Sequence, residues 1–278
     1  MQLGIRLHDV KNLPLEERVA HVHELGFPCG HLAPGKFISE FSTDDAALTP
    51  GLAMYLKNLF AKNQVDIAVL GCYLNLGNPN PEQLRKITNR YMAHIRFASW
   101  LGSGVVGTET GAPNEAGSYV PESHSEAALK LYADHLRPVV KYAEQMGVVV
   151  AIEPVWLNIV STPKRARQLL DMIGSPNLQI ILDPVNLLDI CNYKSQVEIV
   201  EEAVDVLGDD IAVVHIKDFV VEGNIVRSVG AGLGEMDYRP LLKFMKEKKP
   251  FIHATLENTT PENSVWCKEH ILKLYEEV

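Results

Sequence analysis

Four residues of metal-binding type follow apolar runs in the second half of the 278-residue chain. In chain order they are Glu153, Asp183, His215 and Glu257. Successive members are 30, 32 and 42 residues apart, and the first two spacings each provide room for one helix and one strand. The third spacing includes an extra loop, VVEGNIVRSVGAGLGEMD. We therefore expect four successive strands, each ending in a potential metal ligand.

The chemistry of these side chains favours a shared cation. An ionised group at the end of a buried strand is costly unless it is paired or coordinated, and three carboxylates with one imidazole would repel one another without a cation. This set of donors suits one divalent metal ion, Mn²⁺, Mg²⁺, Co²⁺ or Zn²⁺. Each residue alone is compatible with a helix cap, a salt bridge or a hydrogen-bonded core histidine. Four such residues at the ends of four successive strands favour a metal site.

Such a site requires strands whose ends meet, and the chain repeats an apolar run, a turn and a helical pattern. Predicted strands occupy 3–7, 29–33, 65–73, 104–108, 148–153, 178–183, 211–217 and 251–257. Predicted helices lie near 15–25, 44–63, 81–101, 124–146, 163–173, 195–207, 239–248 and 263–276. Eight alternations predict the α/β class and a single (β/α)8 TIM barrel domain over 1–278, with the potential ligands at its C-terminal mouth. No glycine-rich phosphate turn follows the first strand, which disfavours an open doubly wound sheet.

Composition sets aside several classes of protein. The chain has 26 Lys and Arg against 35 Asp and Glu, a net charge of −9 that disfavours nucleic acid as a partner. No apolar run approaches the roughly 20 residues that span a bilayer, and the N-terminus lacks the pattern of a signal peptide. The four cysteines are scattered without a C-x-x-C pair. We therefore predict a cytoplasmic protein that does not interact with membranes.

Motifs at the predicted strand ends extend over nearly the whole chain. They read CYLNLGNPN, FASWLGSGVVGTETG, AIEP with STPKRARQLL, ILDPVN, VVHIKD, GAGLGEMDYRPLL and TLEN. In these motifs the chain resembles the xylose-isomerase-like TIM-barrel superfamily, in its branch of sugar phosphate isomerases and epimerases. The resemblance implies a metal ion, with manganese among the candidates, held by Glu153, Asp183, His215 and Glu257. It also implies that Glu153 and Glu257 form the acid/base pair of a carbohydrate-metabolising enzyme.

The chain departs from the ketose 3-epimerases of this group at two positions. Those enzymes carry a histidine three residues after the aspartate of the sixth strand, where this chain has Asn186. They also tend to carry a substrate-contacting glutamate shortly after the glutamate of the fifth strand, where this chain reads PVWLNI. We expect the metal site to be kept and the 3-epimerase activity on free ketoses to be weak or absent.

The ligand set indicates proton transfer beside a carbonyl group. A divalent ion stabilises a developing enediolate by several kcal/mol, and Glu153 and Glu257, three strands apart in the barrel, could flank the plane of that intermediate. Two bases give epimerisation, and one base moving a proton between adjacent carbons gives aldose–ketose isomerisation. The same intermediate can expel a leaving group, so a keto-sugar or inositol-type dehydratase or lyase is the alternative.

Further polar and aromatic residues are candidates for binding a small carbohydrate substrate. They are His8, His31, Trp156, Asn186, Lys217 and Arg227. The two histidines are equally compatible with structural roles, Trp156 with simple packing, and Arg227 with a solvated surface position. Asp218 is expected to point the other way from the strand and to anchor Lys217, a helix or the following loop. The glycines at 230, 232 and 234 indicate a flexible lid or a turn.

Two other classes share parts of this pattern. An apurinic endonuclease on this barrel would need more histidines and aspartates near the third, fourth, sixth and seventh strands, where this chain has Cys72-Tyr73, Thr108-Glu109 and Asn186. A non-catalytic metal-binding subunit would not need the complete set of four ligands. The sequence leaves open which sugar is bound, whether that sugar is phosphorylated, which metal ion is native and whether the chain forms a homo-oligomer.

Overall fold

Eight parallel strands close into a barrel in the computed structural model, which describes residues 1–278. The barrel strands are β1 (Gln2–Arg6), β2 (Cys29–Leu32), β3 (Asp66–Gly71), β4 (Val105–Glu109), β5 (Val149–Glu153), β6 (Leu178–Leu182), β7 (Ile211–Ile216) and β10 (His253–Leu256). Around the barrel they follow the order β1-β10-β7-β6-β5-β4-β3-β2. The predicted (β/α)8 barrel is confirmed, and every predicted strand has its counterpart.

Helices alternate with these strands and cover the outside of the barrel. They are α1 (Leu15–Glu24), α2 (Pro34–Phe37), α3 (Pro50–Lys62), α4 (Pro81–Leu101), α5 (Glu126–Met146), α6 (Pro163–Ile173), α7 (Gln196–Leu207), α8 (Arg239–Lys248) and α9 (Ser264–Glu277). The helix predicted over 44–63 begins only at Pro50, because Thr49 accepts a hydrogen bond from the Leu52 N–H and caps the helix there.

The core has two layers that leave the barrel mouth free for polar groups. A cluster of 67 buried residues lies mainly between the strands and the helices, and a second cluster of 6 contains side chains from β2, β3, β5, β6 and β7. Gly107 shows how closely the strands pack, since a Cβ there would lie 2.6 Å from Val69 and 2.7 Å from Ile181. A packed interior of this kind confines ligands to the ends of the strands.

The segment after β7, expected to be an extra loop, contains an antiparallel hairpin. Its strands are β8 (Asp218–Glu222) and β9 (Ile225–Val229), joined by Gly223 and Asn224. The following glycine-rich segment forms a turn that is fixed by Asp218, whose carboxylate accepts hydrogen bonds from the N–H groups of Phe219, Gly232 and Met236. Asp218 therefore anchors this loop, one of the roles expected for it.

Two further observations concern the chain as a whole. No helix of the structure combines the length and the apolar character needed to cross a membrane. All four cysteines are free thiols, and Cys191 is the exposed one.

Candidate active site

Four adjacent strands bring the potential metal ligands together at the mouth of the barrel. Glu153 ends β5, Asp183 follows β6, His215 lies near the end of β7 and Glu257 follows β10. Their ligand atoms all lie within 4.8 Å of one another. Each of the four residues is at most 7% exposed. The predicted convergence of these side chains is therefore present in the structure.

His215 lies between the two glutamates. Its Nδ1 atom is 3.3 Å from Oε1 of Glu153 and 3.3 Å from Oε1 of Glu257. Burial opposes a charge on the imidazole, but the carboxylates of Glu257 and Glu153 outweigh it and raise the pKa of His215 to about 9. The protonated His215 ring therefore supplies a positive charge beside both carboxylates, as a bound cation would.

Lys217 supplies a fixed positive charge inside the site. Its Nζ atom is 2.8 Å from Oδ2 of Asp183 and 3.7 Å from Oε2 of Glu257, and it donates a hydrogen bond of 2.7 Å to Oδ1 of Asn186. The other oxygen of Asp183 accepts a hydrogen bond from the Val185 N–H at 3.0 Å. Asp183 thus combines a backbone-capping role with a place among the potential ligands.

Asn186 connects the lysine to the fifth strand. Its Nδ2 group donates a hydrogen bond of 2.6 Å to Oε1 of Glu153, while its Oδ1 accepts from Lys217. The amide thereby holds Glu153 in one orientation, but unlike a histidine it does not act as an acid or a base near neutral pH. The predicted substrate-binding residue Asn186 therefore has a second role in orienting Glu153.

The two glutamates have different electrostatic surroundings. Burial raises the pKa of Glu153, with His215 acting in the opposite direction. Glu257 is also buried, but His215, Lys217 and Arg6 together lower its pKa to about 2. The guanidinium Nη1 of Arg6 lies 3.6 Å from Oε2 of Glu257. Glu257 is therefore held ionised by three cationic groups, whereas Glu153 is the more basic of the pair.

The residues present fit a divalent cation. The donor set is hard to borderline, consisting of three carboxylates and one imidazole. The Nδ1 atom of His215 faces the carboxylate oxygens of Glu153 and Glu257, each 3.3 Å away, so it would share an ion with them. With His215 neutral and Lys217 charged, a bound divalent ion would balance the three carboxylates completely. The cluster thus has the charge, the donor types and the proximity that a metal site requires.

A cavity of about 290 Å³ opens above these residues. It is lined by the predicted residues His8, His31, Asn186 and Lys217, together with Glu153 and Glu257. The sequence did not single out several other lining residues: Arg6, Lys36, Tyr73, Glu109, Ser228 and Asn258. Most of this lining is polar, as expected for a site that binds a hydroxylated molecule.

His31 is the buried residue of the cavity with the most unused hydrogen-bonding capacity. It is 2% exposed, and neither ring nitrogen has a partner. Its ring stacks between Tyr73 and His215, at centroid distances of 5.7 Å and 5.2 Å. Burial, followed by the neighbouring His215, lowers the pKa of His31 to about 3, and burial lowers that of His8 to about 4. Both rings are neutral near pH 7 and offer one donor and one acceptor.

Two predicted substrate-binding residues lie outside this cavity. Trp156 lines a neighbouring groove, its ring packs edge-on against His124, and its backbone carbonyl accepts a hydrogen bond from Nε2 of His124. Arg227 lies on the exposed hairpin, where its guanidinium forms two hydrogen bonds with Glu222 across the strands. The structure does not bring Arg227 to the cavity, because the alternation along β9 and the pairing with Glu222 direct it to solvent.

Arg6 and Glu109 are functional candidates that the sequence interpretation missed. Arg6 is a charge inside the apolar run LGIRL, which was the available signal. Glu109 pairs in register with Glu153 on the neighbouring strand, and Asn158 donates a hydrogen bond of 3.1 Å to its Oε2. The sequence feature that could have identified Glu109 is the position of this carboxylate directly after the predicted fourth strand.

Solved structures of similar fold include three that match nearly the whole length of this chain. A D-tagatose 3-epimerase-like protein is 23% identical, with a TM-score of 0.75 over 100% of this chain and 97% of that one. An IOLI protein with a bound zinc atom is 18% identical, with a TM-score of 0.74 over 100% and 99%. The 3-keto-D-glucoside 4-epimerase YcjR from E. coli is 15% identical, with a TM-score of 0.75 over 99% and 98%. At these identities the likeness concerns the fold.

The sequence itself provides the assignment to a family. No curated protein matches it significantly. The model of the xylose isomerase-like TIM barrel family matches residues 19–270, which is most of the chain. This match agrees with the closed eight-stranded barrel and with the resemblance at the strand ends. The chain therefore belongs to the xylose isomerase-like TIM barrel family.

Proposed function

We propose that this protein is a divalent-metal-dependent isomerase or epimerase that acts on a sugar or keto-sugar. The observation that carries the proposal is the group of four buried donors within 4.8 Å of one another at the mouth of the barrel. Glu153, Asp183, His215 and Glu257 would hold the ion, whose positive charge would stabilise negative charge developing on substrate oxygens. The zinc atom bound to the IOLI protein, which has the same fold, supports this reading.

The chain's own residues then account for the proton transfers. One glutamate, ionised, removes a proton from the carbon beside the substrate carbonyl and becomes the acid, while the other, initially protonated, returns its proton from the opposite face and becomes the carboxylate. Because Glu153 and Glu257 extend from β5 and β10, which are three strands apart around the barrel, they approach the cavity from different sides. This two-sided arrangement favours epimerisation over proton shuttling by a single base.

Neighbouring residues keep the two glutamates in place and bind hydroxyl groups. Asn186 orients Glu153, and Lys217 with Arg6 keeps Glu257 ionised. His31, neutral and without partners, would donate one hydrogen bond to a sugar hydroxyl and accept another. A small carbohydrate is the substrate class that fits a polar cavity of about 290 Å³.

We expect a substituted or oxidised sugar rather than a free ketose. Asn186 stands where the ketose 3-epimerases have a histidine, and its two hydrogen bonds to Glu153 and Lys217 leave its amide already engaged. A 3-keto-glucoside, the substrate after which the E. coli epimerase of similar fold is named, is a suitable test compound of this kind. Robust interconversion of fructose and psicose by this protein would contradict the expectation.

Deuterium exchange tests the proposed isomerase or epimerase activity. The protein, loaded in turn with Mn²⁺, Mg²⁺, Co²⁺ or Zn²⁺, would be incubated in D2O with free ketoses, sugar phosphates and methyl 3-keto-glucoside. We expect deuterium at the carbon beside the carbonyl together with a new epimer, both detected by NMR. An unsaturated product would indicate the dehydratase alternative. A metal-loaded protein that catalyses no exchange on any of these compounds would refute the proposal.

A further inference from the structure

A second recess lies beside the proposed active site, between the loops after β5 and β6 and the hairpin. Its volume is about 280 Å³, and 8 of its 12 lining residues are apolar. We call it the apolar groove, and its apolar lining consists of Val155, Trp156, Leu157, Val185, Leu188, Ile190, Ile225 and Val226. Leu157 and Ile225 remain 52% and 67% exposed. Large apolar side chains left exposed in a recess point to a ligand or partner that covers them.

The apolar groove is continuous with the polar cavity. Asn186 and Ser228 line both recesses. The Asn186 side chain contacts Glu153, and the backbone carbonyl of Asn186 accepts a hydrogen bond of 2.7 Å from the Trp156 N–H. One residue therefore connects the reacting carboxylate to the wall of the groove. A molecule bound over Glu153 can extend directly into the groove.

The charge of the groove excludes an anionic occupant. None of its lining residues is Lys, Arg or His, and its one charged residue, Asp189, is engaged with the N–H of Cys191 at 2.7 Å. A phosphate group would find no cation there. The cationic residues of the polar cavity, Arg6, Lys36 and Lys217, do not line the groove. The part of the substrate that enters the groove must therefore not be anionic, and the 8 apolar residues among the 12 of the lining favour an apolar group.

The position of Trp156 agrees with such an occupant. Trp156 lines the groove and not the polar cavity, so it lies beside a group attached to the sugar rather than beside the reacting carbons. Hydrogen bonds of the Val155 and Trp156 N–H groups to the carbonyls of Val160 and Asn186 hold this segment in place. An indole in a fixed wall is well suited to packing against an aryl or alkyl group.

We propose that the substrate carries an apolar substituent, an aryl or alkyl group linked to the sugar, that lies in the apolar groove while the sugar occupies the polar cavity. This inference rests on the proposed function, since it assigns the specificity of the same site. The substituent replaces water on the exposed faces of Leu157 and Ile225, and binding gains affinity in proportion to the apolar area covered. The groove thus selects glycosides with an apolar group over free sugars and sugar phosphates.

The test compares two glycosides that differ only in the substituent. Binding of methyl and phenyl 3-keto-β-D-glucoside to the metal-loaded protein would be measured by isothermal titration calorimetry. We expect the phenyl compound to bind about tenfold more tightly or better. In Leu157→Ser and Ile225→Ser this preference should shrink severalfold while the affinity for the methyl compound is unchanged. Phe251→Ser is the matched control, because Phe251 is 83% exposed and does not line the groove.

The outcomes separate this inference from the proposed function. Equal affinity for both glycosides, with deuterium exchange of the methyl compound intact, overturns the inference and leaves the proposed function standing. A phenyl preference that survives both serine substitutions also overturns it. Absence of exchange and of binding for both compounds refutes the proposed function as well. A dimer seen by analytical ultracentrifugation that dissociates in Leu157→Ser and Ile225→Ser would assign the groove to a second copy of the chain and overturn the inference.

Discussion

The two halves of the barrel contribute different kinds of side chain to the same cavity. The four potential metal ligands all come from β5, β6, β7 and β10 of the second half. The first half, β1 to β4, contributes Arg6, His31, Tyr73 and Glu109 at or after its strand ends. The ligand atoms of the second half lie within 4.8 Å of one another, whereas the ring nitrogens of His31 in the first half have no hydrogen-bond partners.

This difference indicates that the two halves of the barrel have different functions. A cluster of buried charges that satisfy one another is organised before substrate arrives, which suits the binding of an ion and the transfer of protons. A buried neutral ring without hydrogen bonds is satisfied only when a ligand supplies them. We therefore expect substitutions in the second half to abolish metal binding or chemistry, and substitutions in the first half to weaken substrate binding.

The largest expected effect follows substitution of the second-half glutamates. Glu153→Gln and Glu257→Gln keep the shape of the side chain and one oxygen ligand but remove its ability to accept a proton. Each should lower kcat by about 10²- to 10⁴-fold when assayed at saturating metal. Near-normal turnover in both variants would refute a mechanism with two bases and leave another group, such as Lys217, to move the proton.

The two glutamine variants should also differ from each other. Solvent deuterium should still enter the substrate in the variant whose abstracting base is intact, because removal of the proton and its return are separate steps. Glu153 is the more basic carboxylate and Glu257 is held ionised by Lys217 and Arg6. Mass spectrometry of recovered substrate, with the wild-type protein as control, would identify the variant that retains exchange.

The next prediction concerns the ion itself. His215→Ala removes the imidazole that lies between the two glutamates at 3.3 Å from each. Metal affinity should fall by at least about 100-fold, since even loss of a residue that only supports a ligand costs about 10- to 100-fold. Metal content after dialysis, measured by inductively coupled plasma mass spectrometry, should drop from about one ion per chain. Full occupancy in this variant would contradict the assignment of four ligands.

Metal binding should strengthen as pH rises towards 9. In the metal-free protein the carboxylates raise the pKa of His215 to about 9 against the effect of burial, so at neutral pH an ion must displace a proton. Between pH 7 and pH 9 the apparent metal affinity should therefore rise by about tenfold per pH unit. Isothermal titration calorimetry in buffers of different ionisation enthalpy would also report the released proton. An affinity that does not change over this range would show that His215 is already neutral.

The contrast between the halves also explains what the sequence could predict. Charged residues at the ends of apolar strands are conspicuous, and the topology of a barrel brings them together whatever the loops do. Glu153, Asp183, His215 and Glu257 were found in this way. Arg6 was missed because a single arginine in a short strand is equally compatible with an exposed edge.

The connections were less predictable because their positions depend on tertiary contacts. The hairpin of β8 and β9 had a local signal, Gly223-Asn224 between β-branched residues, but no residue in it indicates on which side of the mouth it lies. The apolar groove is formed by three segments that are distant in sequence, so only the fold brings them together. The sequence identified Trp156 as a candidate contact residue, but it could not predict that Trp156 lies beside the polar cavity rather than in it.

A moderate effect is expected from the first half of the barrel. His31→Ala should raise KM by about three- to tenfold, which corresponds to the loss of hydrogen bonds to an uncharged hydroxyl group, and leave metal content unchanged. His31→Gln, which keeps a donor and an acceptor, is the matched control and should recover part of the affinity. Loss of metal from His31→Ala would break the comparison, because His31, His215 and Glu257 also form a possible group of three ligands.

The smallest effect is expected at Arg227, on the hairpin that belongs to neither half of the barrel. Its side chain is 53% exposed and pairs with Glu222, which is itself 60% exposed, so neither group is held near the cavity. Arg227→Ala should change kcat/KM on both methyl and phenyl 3-keto-glucoside by less than about twofold, as is usual for solvated surface pairs. Arg6→Ala is the informative contrast, since Arg6 lies 3.6 Å from Glu257 and its loss should lower kcat/KM on both compounds. A tenfold loss in Arg227→Ala that Glu222→Ala does not reproduce would mean that the guanidinium leaves its partner and reaches the substrate. The hairpin would then act as a closing element over the polar cavity.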